Sequence, residues 1–388
     1  MGHDFKAMSK DIAQQVIDFR RDLHMHPEAS MQEFRTTDRI AGELDKLGIP
    51  YRRLDPTGLI AEIKGGKPGK TVALRADIDA LSITEKADVP FKSQNEGFMH
   101  ACGHDTHAAM LLGAASILNS VKDELQGTVR LIFQPAEEVA TGAKLVIEQG
   151  GVEGVDMIFG IHIGGGGIPA GAISYCPGAS AAAADMFSIK VKGKAGHGAM
   201  PDACVDATVA AAAIVMNLQT MVSREVSPIQ PLVVTVGKLE SGSRFNIVSG
   251  EANMEGTCRC YDVAVHHKLP EAMTRIAQQT AAAFRCEAEV KYDMMTEVLM
   301  NDSESLEVAK KAAAKVVDKP ELLFTMPAMM GGEDFAEYTV HTKGAFMMVG
   351  GGTPLPNHSD YIVFDEDCFR TGVALHCQVA WDYLNGED

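Results

Sequence analysis

"TVALRADIDA", residues 71–80, is an apolar run that carries one arginine and stops at two aspartates. It reads as a strand followed by a loop, and its flanks decide the fold. On the N-terminal side "GLIAEI" (58–63) reads as another strand. Before it Ile12, Val16, Phe19 and Leu23 fall at helical spacing, giving an amphipathic helix that ends near "HPEAS" (26–30). On the C-terminal side come a helical pattern over 106–118, the strand "GTVRLIFQ" (127–134), a helix over 142–149 and the strand "MIFGIH" (157–162). Strands and helices in alternation predict an α/β fold: a mostly parallel sheet with helices on both faces. In such sheets functional residues collect beyond the carboxyl ends of the strands.

The pattern changes at "PGASAAAAD" (177–185). Beyond it "MFSIKVKGK" (186–194) alternates strictly, and an Ala-rich helix is expected over 202–219. "PLVVTVGKL" (231–239) and "EANMEGTCRC" (251–260) read as paired strands, a helix is expected over 266–284, and "AEVKY" (288–292) closes the set. Strand-helix-strand-strand-helix-strand is the ferredoxin-like α+β order. It predicts an inserted domain over 185–295, between a first part, 1–184, and a second part, 296–388. In that second part a helix over 305–317, the strand "AFMMVGGG" (345–352) and a last helix from 366 restore the α/β alternation.

A chain of 388 residues suits two domains, and 46% hydrophobic residues suffice for both cores. A net charge of −17 argues against nucleic acid or an acidic membrane surface as partner. No apolar stretch approaches the roughly 18 residues of a membrane span, and residues 1–20 lack the pattern of a secretory leader. The eight cysteines contain no C-x-x-C pair and do not look like a disulfide framework. These features predict a cytoplasmic protein.

The chemistry gathers where strands stop. "CGHD" (102–105) follows the loop after "VALRAD", and "QPAEE" (134–138) follows "VRLIF". "GIH" ends at His162, and "NHSD" (357–360) lies beyond "FMMVGGG". Four loops bring Cys102, His104, Glu138, His162 and His358 towards one sheet edge. Thiolate, imidazole and carboxylate are ligands of zinc and its divalent neighbours. Five candidates exceed what one ion usually takes, so they suggest two ions sharing a bridge, a recurrent hydrolase arrangement. Of the adjacent Glu137 and Glu138, one can bind metal while the other works as general base on an activated water.

Taken singly, each signal has a plainer reading. An "EE" pair is ordinarily solvated, a histidine at a strand end is ordinarily structural, and a cysteine before Gly-His is ordinarily buried. Four such coincidences on one edge outweigh those readings. Asp77 and Asp79 are expected to orient imidazole ligands, with Asp77 counted in the catalytic set, and turn capping is their plainer role. His24 and His26 are read as structural or substrate-side, and His100 and His107 as neighbours of the site. "GGGGIPAG" (164–171) lacks the Lys-Ser/Thr ending of a phosphate loop, and no His-Glu-x-x-His occurs.

With these residues placed, the chain resembles the metallopeptidase family of two-metal amidohydrolases, aminoacylases and carboxypeptidases, which includes hippurate hydrolase, N-acetyldiaminopimelate deacetylase and the plant auxin-conjugate amidohydrolases. "RRDLHMHPEAS", "VALRADIDAL", "HACGHDTHAAML", "QPAEE", "GIH", "GKAGHGAMPD", "FNIV", "GGEDFAEY" and "NHSD" carry the resemblance nearly end to end. It implies a catalytic domain holding two divalent ions (zinc, manganese, cobalt or nickel) and an inserted lid that also forms a homodimer or higher homo-oligomer. Carried over residue by residue, it implies Cys102, His104, Glu138, His162 and His358 as ligands, with Cys102 as the bridge. It further implies Glu137 as general base, His197 as oxyanion donor, and Asn246 and Arg259 as partners of a substrate carboxylate. "IGGGGIPAG", "VAT" after "QPAEE", and "FNIVSG" with Arg244 before it depart from the family's usual segments. They border the expected substrate cavity and leave its specificity open. The expected activity is hydrolysis of the amide bond of an N-acyl amino acid, a small-molecule substrate. A dipeptidase or carboxypeptidase on the same site is the alternative, and a non-catalytic ligand-binding relative is disfavoured by the intact Glu137-Glu138 pair.

Overall fold

In the computed structural model, which describes residues 2–386, the alternating pattern forms an eight-stranded sheet. Its first six strands are β1 (Tyr51–Arg53), β2 (Leu59–Lys64), β3 (Lys67–Asp77), β4 (Gln126–Gln134), β5 (Met157–Gly164) and β6 (Ile173–Tyr175). Two strands from late in the chain, Leu323–Thr325 and Lys343–Gly350, complete it. The spatial order is β1, β2, β4, β3, β5, Lys343–Gly350, β6, Leu323–Thr325. The inner four, β4, β3, β5 and Lys343–Gly350, run parallel. β2 is antiparallel to both β1 and β4, and β6 is antiparallel to Lys343–Gly350. The chain is therefore mixed α/β with a mostly parallel central sheet.

The parallel strands read as apolar runs because both faces are covered. Among the first helices are α1 (Phe5–Asp11), α2 (Ala13–His24), α3 (Phe34–Leu47), α4 (His104–Ser120) and α5 (Gly142–Glu148). α4 carries the chain from β3 to β4, and α5 from β4 to β5. The side chains of α4 and the terminal helix Phe369–Asn385 join β3 and β5 in one core with Val16, Leu23, Ile40 and Leu44. Phe159 of β5 meets Tyr383 of that helix, with centroids 6.5 Å apart. The next residue faces the other way. A Cβ on Gly160 would stand 2.6 Å from Phe346 and 2.8 Å from Phe335, so glycine lets the helix Phe335–His341 close over that side.

By its contacts the chain divides into two compact units. One comprises residues 1–180, 300–327 and 334–388; the other comprises 181–299 and 328–333. The second unit holds a four-stranded antiparallel sheet in the order Leu232–Ser241, Glu251–Cys260, Ala183–Lys192, Glu287–Thr296. Its helices Ala207–Thr220 and Leu269–Ala283 pack on each other and on the sheet.

Helix boundaries differ from the sequence reading for local reasons. The helix expected over 202–219 begins at Ala207, because Pro201–Ala203 makes only a single 3-10 turn and a bridge between Lys194 and Val205 then holds the chain extended before Asp206. Asp206 then caps it by accepting from the Thr208 and Val209 N–H groups. The helix expected over 266–284 is two, Val263–His266 and Leu269–Ala283. Pro270 has no N–H to continue the first and suits the first turn of the second. Among the described residues no helix is long and apolar enough to cross a membrane.

Candidate metal centre

The carboxyl ends of adjacent strands deliver the donors. Asp77 at the end of β3 lies opposite Gln134 at the end of β4, so their following loops emerge side by side. His162 is level with Met348 of the neighbouring strand and lies inside β5, two residues before its end. His358 comes from the loop after that neighbour and has a left-handed backbone, φ 69°. Cys102 and His104 stand at the start of α4, which begins at His104 and not at 106. Gly103 caps that helix at φ 99°. A Cβ there would come within 2.4 Å of Ile163 and 2.9 Å of Phe364, so only glycine permits the turn between the two donors.

Cys102 Sγ is 3.2 Å from His162 Nε2 and 3.3 Å from His358 Nε2. The Nδ1–H of His162 donates to the Ile163 carbonyl at 2.7 Å, which leaves the Nε2 lone pair turned to the sulfur. His104 Nδ1 donates to Asp79 Oδ1 at 3.1 Å, and its Nε2 lies 3.8 Å from both Glu137 Oε2 and Glu138 Oε1. His358 Nε2 is 3.8 Å from Glu138 Oε2. The donor atoms of Cys102, His104 and His162 all lie within 4.8 Å of one another, and those of Cys102, Glu138 and His358 form a second such group. Cys102 belongs to both.

These residues fit two divalent cations. His104 Nε2 and Glu138 Oε1 are buried with no hydrogen-bond partner, a costly state that a cation relieves. Burial pushes the Cys102 thiol well above its ordinary value and the Glu138 carboxyl up to about 7. The anionic forms that ligate metal therefore need a positive charge beside them. Burial holds His162 well below its ordinary value and lowers His358 too, so both are neutral imidazoles. Burial opposes protonation of His104, yet the neighbouring Asp77 and Cys102 and its bond to Asp79 hold it well above the ordinary value. A divalent cation held by His104 would take the place of that proton.

Asp79 fixes the centre. Its Oδ1 accepts from His104 and from the Glu137 N–H at 3.1 Å; its Oδ2 accepts from the Glu138 N–H at 3.0 Å and the Ser30 hydroxyl at 2.7 Å. Glu33 supports the same loop by accepting from the Ala136 N–H at 2.9 Å. Ala136 has φ 56°, a strained conformation that these bonds over-determine. Asp79→Asn exchanges two of these acceptor positions for a donor. It is expected to cost about 10–100-fold in metal affinity or activity, measured by metal titration and kcat on the same preparation. Unchanged values would remove Asp79 from this role.

Asp77 is fully buried. Its Oδ1 accepts from His107 Nδ1 at 2.5 Å and its Oδ2 from Arg75 at 2.7 Å, while His104 Nε2 is 3.6 Å away. His107 Nε2 in turn accepts from the Ile163 N–H at 2.8 Å, so both nitrogens of this imidazole are engaged in hydrogen bonds. Asp77 thus touches the centre's supports and has no surface for substrate.

Sequence reasoning missed Arg75 and Asn357 in the scaffold beneath, and gave Asp105 a supporting or capping role without its partners. Arg75, buried within β3, also donates to Gln134 Oε1 at 2.8 Å and to Asp334 Oδ1 at 2.7 Å. Asn357 links three loops, donating to the carbonyls of Cys102 and Ile163 and accepting from the Gly165 N–H. Asp105 lies 2.8 Å from Arg20 and 2.7 Å from His24, which overcome its burial and hold it far below the usual carboxylate range. A lone arginine in an apolar strand and an asparagine beside His358 were the available signals.

In the second unit His197 pairs with Ile247 in a short antiparallel ribbon, beside Asn246. His197 is exposed, and its Nδ1 accepts from the Ala199 N–H at 3.1 Å, which leaves the ring proton on Nε2. Arg259 is half-buried on the strand Glu251–Cys260, where Nη1 donates to the Cys258 carbonyl at 2.8 Å and to Thr257.

The chain is similar to N-acetylcysteine deacetylase of Bacillus subtilis (strain 168), 40% identical over 370 residues that span 94% of this chain and 96% of the relative. It is similar to thermostable carboxypeptidase 2 of Saccharolobus solfataricus, 38% identical over 386 residues, 97% of each chain. Among solved structures, the Bacillus subtilis YXEP protein, described as a dinuclear metal binding peptidase from M20 family, superposes with a TM-score of 0.85 at 37% identity, covering 97% of this chain and 99% of that one. The model of peptidase family M20/M25/M40 matches residues 73–382, and the chain belongs to that family.

Proposed function

We propose that the protein is a metal-dependent amidohydrolase that cleaves the amide bond of N-acyl amino acids. The observation that carries this reading is the sulfur of Cys102, which belongs to two donor groups at once, with Glu137 alongside. Cys102, His104, Glu138, His162 and His358 would hold two divalent ions, which would supply Lewis acidity and lower the pKa of water. Thiolate, imidazole and carboxylate together accept zinc, manganese, cobalt or nickel.

Glu137 takes a proton from the attacking water and returns it to the departing amine nitrogen. His197 donates its Nε2 proton as a hydrogen bond to the carbonyl oxygen as negative charge grows there. Asn246 and the Nε and Nη2 edge of Arg259 bind the substrate carboxylate, guanidinium being matched to two oxygens. The second unit, read as a ferredoxin-like lid over 185–295, has a sheet order that fits that topology. Its strand Leu232–Ser241 pairs on one side only among the described residues, and Val209 and Met216 are exposed, which supports a homodimer through this unit. Eight free cysteines support a reducing, cytoplasmic location.

The carboxypeptidase among the relatives favours a second reading, cleavage of peptides on the same centre. A panel of N-acetyl and N-benzoyl amino acids beside dipeptides of the same residues separates the two. Hydrolysis of the acylated compounds, with free-amine dipeptides poorer in kcat/KM, is expected. Preference for the dipeptides would move the protein to the peptidase reading, and inertness towards both would overturn the amidohydrolase.

A further inference from the structure

The second unit holds a cluster of metal-binding side chains that the hydrolytic chemistry does not use. His266 ends the helical turn Val263–His266, His267 follows it, and Glu297 stands one residue beyond the strand Glu287–Thr296. His266 Nδ1 is 3.2 Å from Glu297 Oε2, and His267 Nε2 is 3.1 Å from both Glu297 oxygens. The donors of all three residues lie within 4.8 Å of one another.

We propose that His266, His267 and Glu297 form a third metal site, specific to a borderline cation such as Zn²⁺, which staples the turn after Asp262 to the end of the strand Glu287–Thr296. Zinc–ligand bonds of about 2.0–2.1 Å in a tetrahedron put neighbouring donors roughly 3.3 Å apart, close to the spacings seen here. His266 is oriented as metal-binding histidines usually are. Its Nε2 donates to the buried Asp185 carboxylate at 2.9 Å, and Asp185 in turn accepts from the Tyr292 hydroxyl at 2.6 Å. A carboxylate behind the imidazole fixes which nitrogen faces the ion and raises its basicity. His266 is fully buried, while Glu297 and His267 are 19% and 56% exposed, so the fourth position opens to water.

Equilibrium dialysis of the full-length protein against buffered micromolar Zn²⁺, with ions counted per chain, tests the site. His267→Ala and Glu297→Gln are each expected to bind one ion fewer than the wild type while hydrolysing N-acyl amino acids at the wild-type rate. That difference of one supports the site whatever the count at Cys102. Equal counts in the wild type and both variants would overturn it and would leave the reading of the Cys102 centre untouched.

Discussion

Glu137→Gln is expected to retain the full complement of divalent ions and to lose about 10²–10⁴-fold in kcat, the usual contribution of a positioned acid-base group. The amide matches the carboxylate in size. It preserves the backbone bonds from Glu137 and Glu138 to Asp79, and the bond that Glu137 Oε1 accepts from the Asp334 N–H is long, 3.4 Å. The five assigned donors are untouched, so affinity for metal stays. What disappears is the ability to take a proton from water and hand it to the amine. Elemental analysis and kcat on one preparation check both halves. A variant that keeps its ions and its turnover would remove Glu137 as the base, and one that loses its ions would make it a ligand.

Cys102→Ala has the opposite signature. The sulfur stands between His162 and His358, at 3.2 and 3.3 Å, and each of the two donor groups needs it. Its removal strips a donor from both positions at once. Loss of a residue that merely orients a ligand costs about 10–100-fold, so loss of a shared donor is expected to exceed about 100-fold in activity and to lower the ion count. Alanine at Cys377, whose thiol lies against the Ala114 carbonyl in the core, is the control. It can cost stability, but it leaves ions and turnover in place.

The parallel part of the fold was readable because its signals are local. The run from Val72 to Ala76 fits within one strand and the helical spacing of Val16, Phe19 and Leu23 within one helix, which begins just after Ile12, and period alone separates strand from helix. The five proposed ligands stood out for a related reason: each stands near a strand end, at a helix start or, for His358, in a loop, where a donor has little packing purpose. The strand order was not readable. Lys343–Gly350 lies between β5 and β6, with the whole second unit intervening in the chain. Nothing in "AFMMVGGG" names its neighbours. The Arg75–Asp334 bond joins residues 259 apart, and only the tertiary arrangement brings them together. The sequence puts the start of α4 two residues late because Asp105 and Thr106 are ordinary caps. The cap in the fold is Gly103, chosen by the Ile163 and Phe364 side chains that crowd it.

The most direct measurement is the number of divalent ions per chain, taken on the purified protein, after exhaustive chelation, and after resupply of Mn²⁺ or Zn²⁺, with hydrolysis of an N-acetyl amino acid followed throughout. With the Glu297→Gln background removing the third site, two ions per chain are expected, with activity vanishing on chelation, returning as both ions return, and failing to return in Cys102→Ala. Full hydrolysis by the ion-free chain, or two ions and full turnover in Cys102→Ala, would contradict a centre built on that shared sulfur.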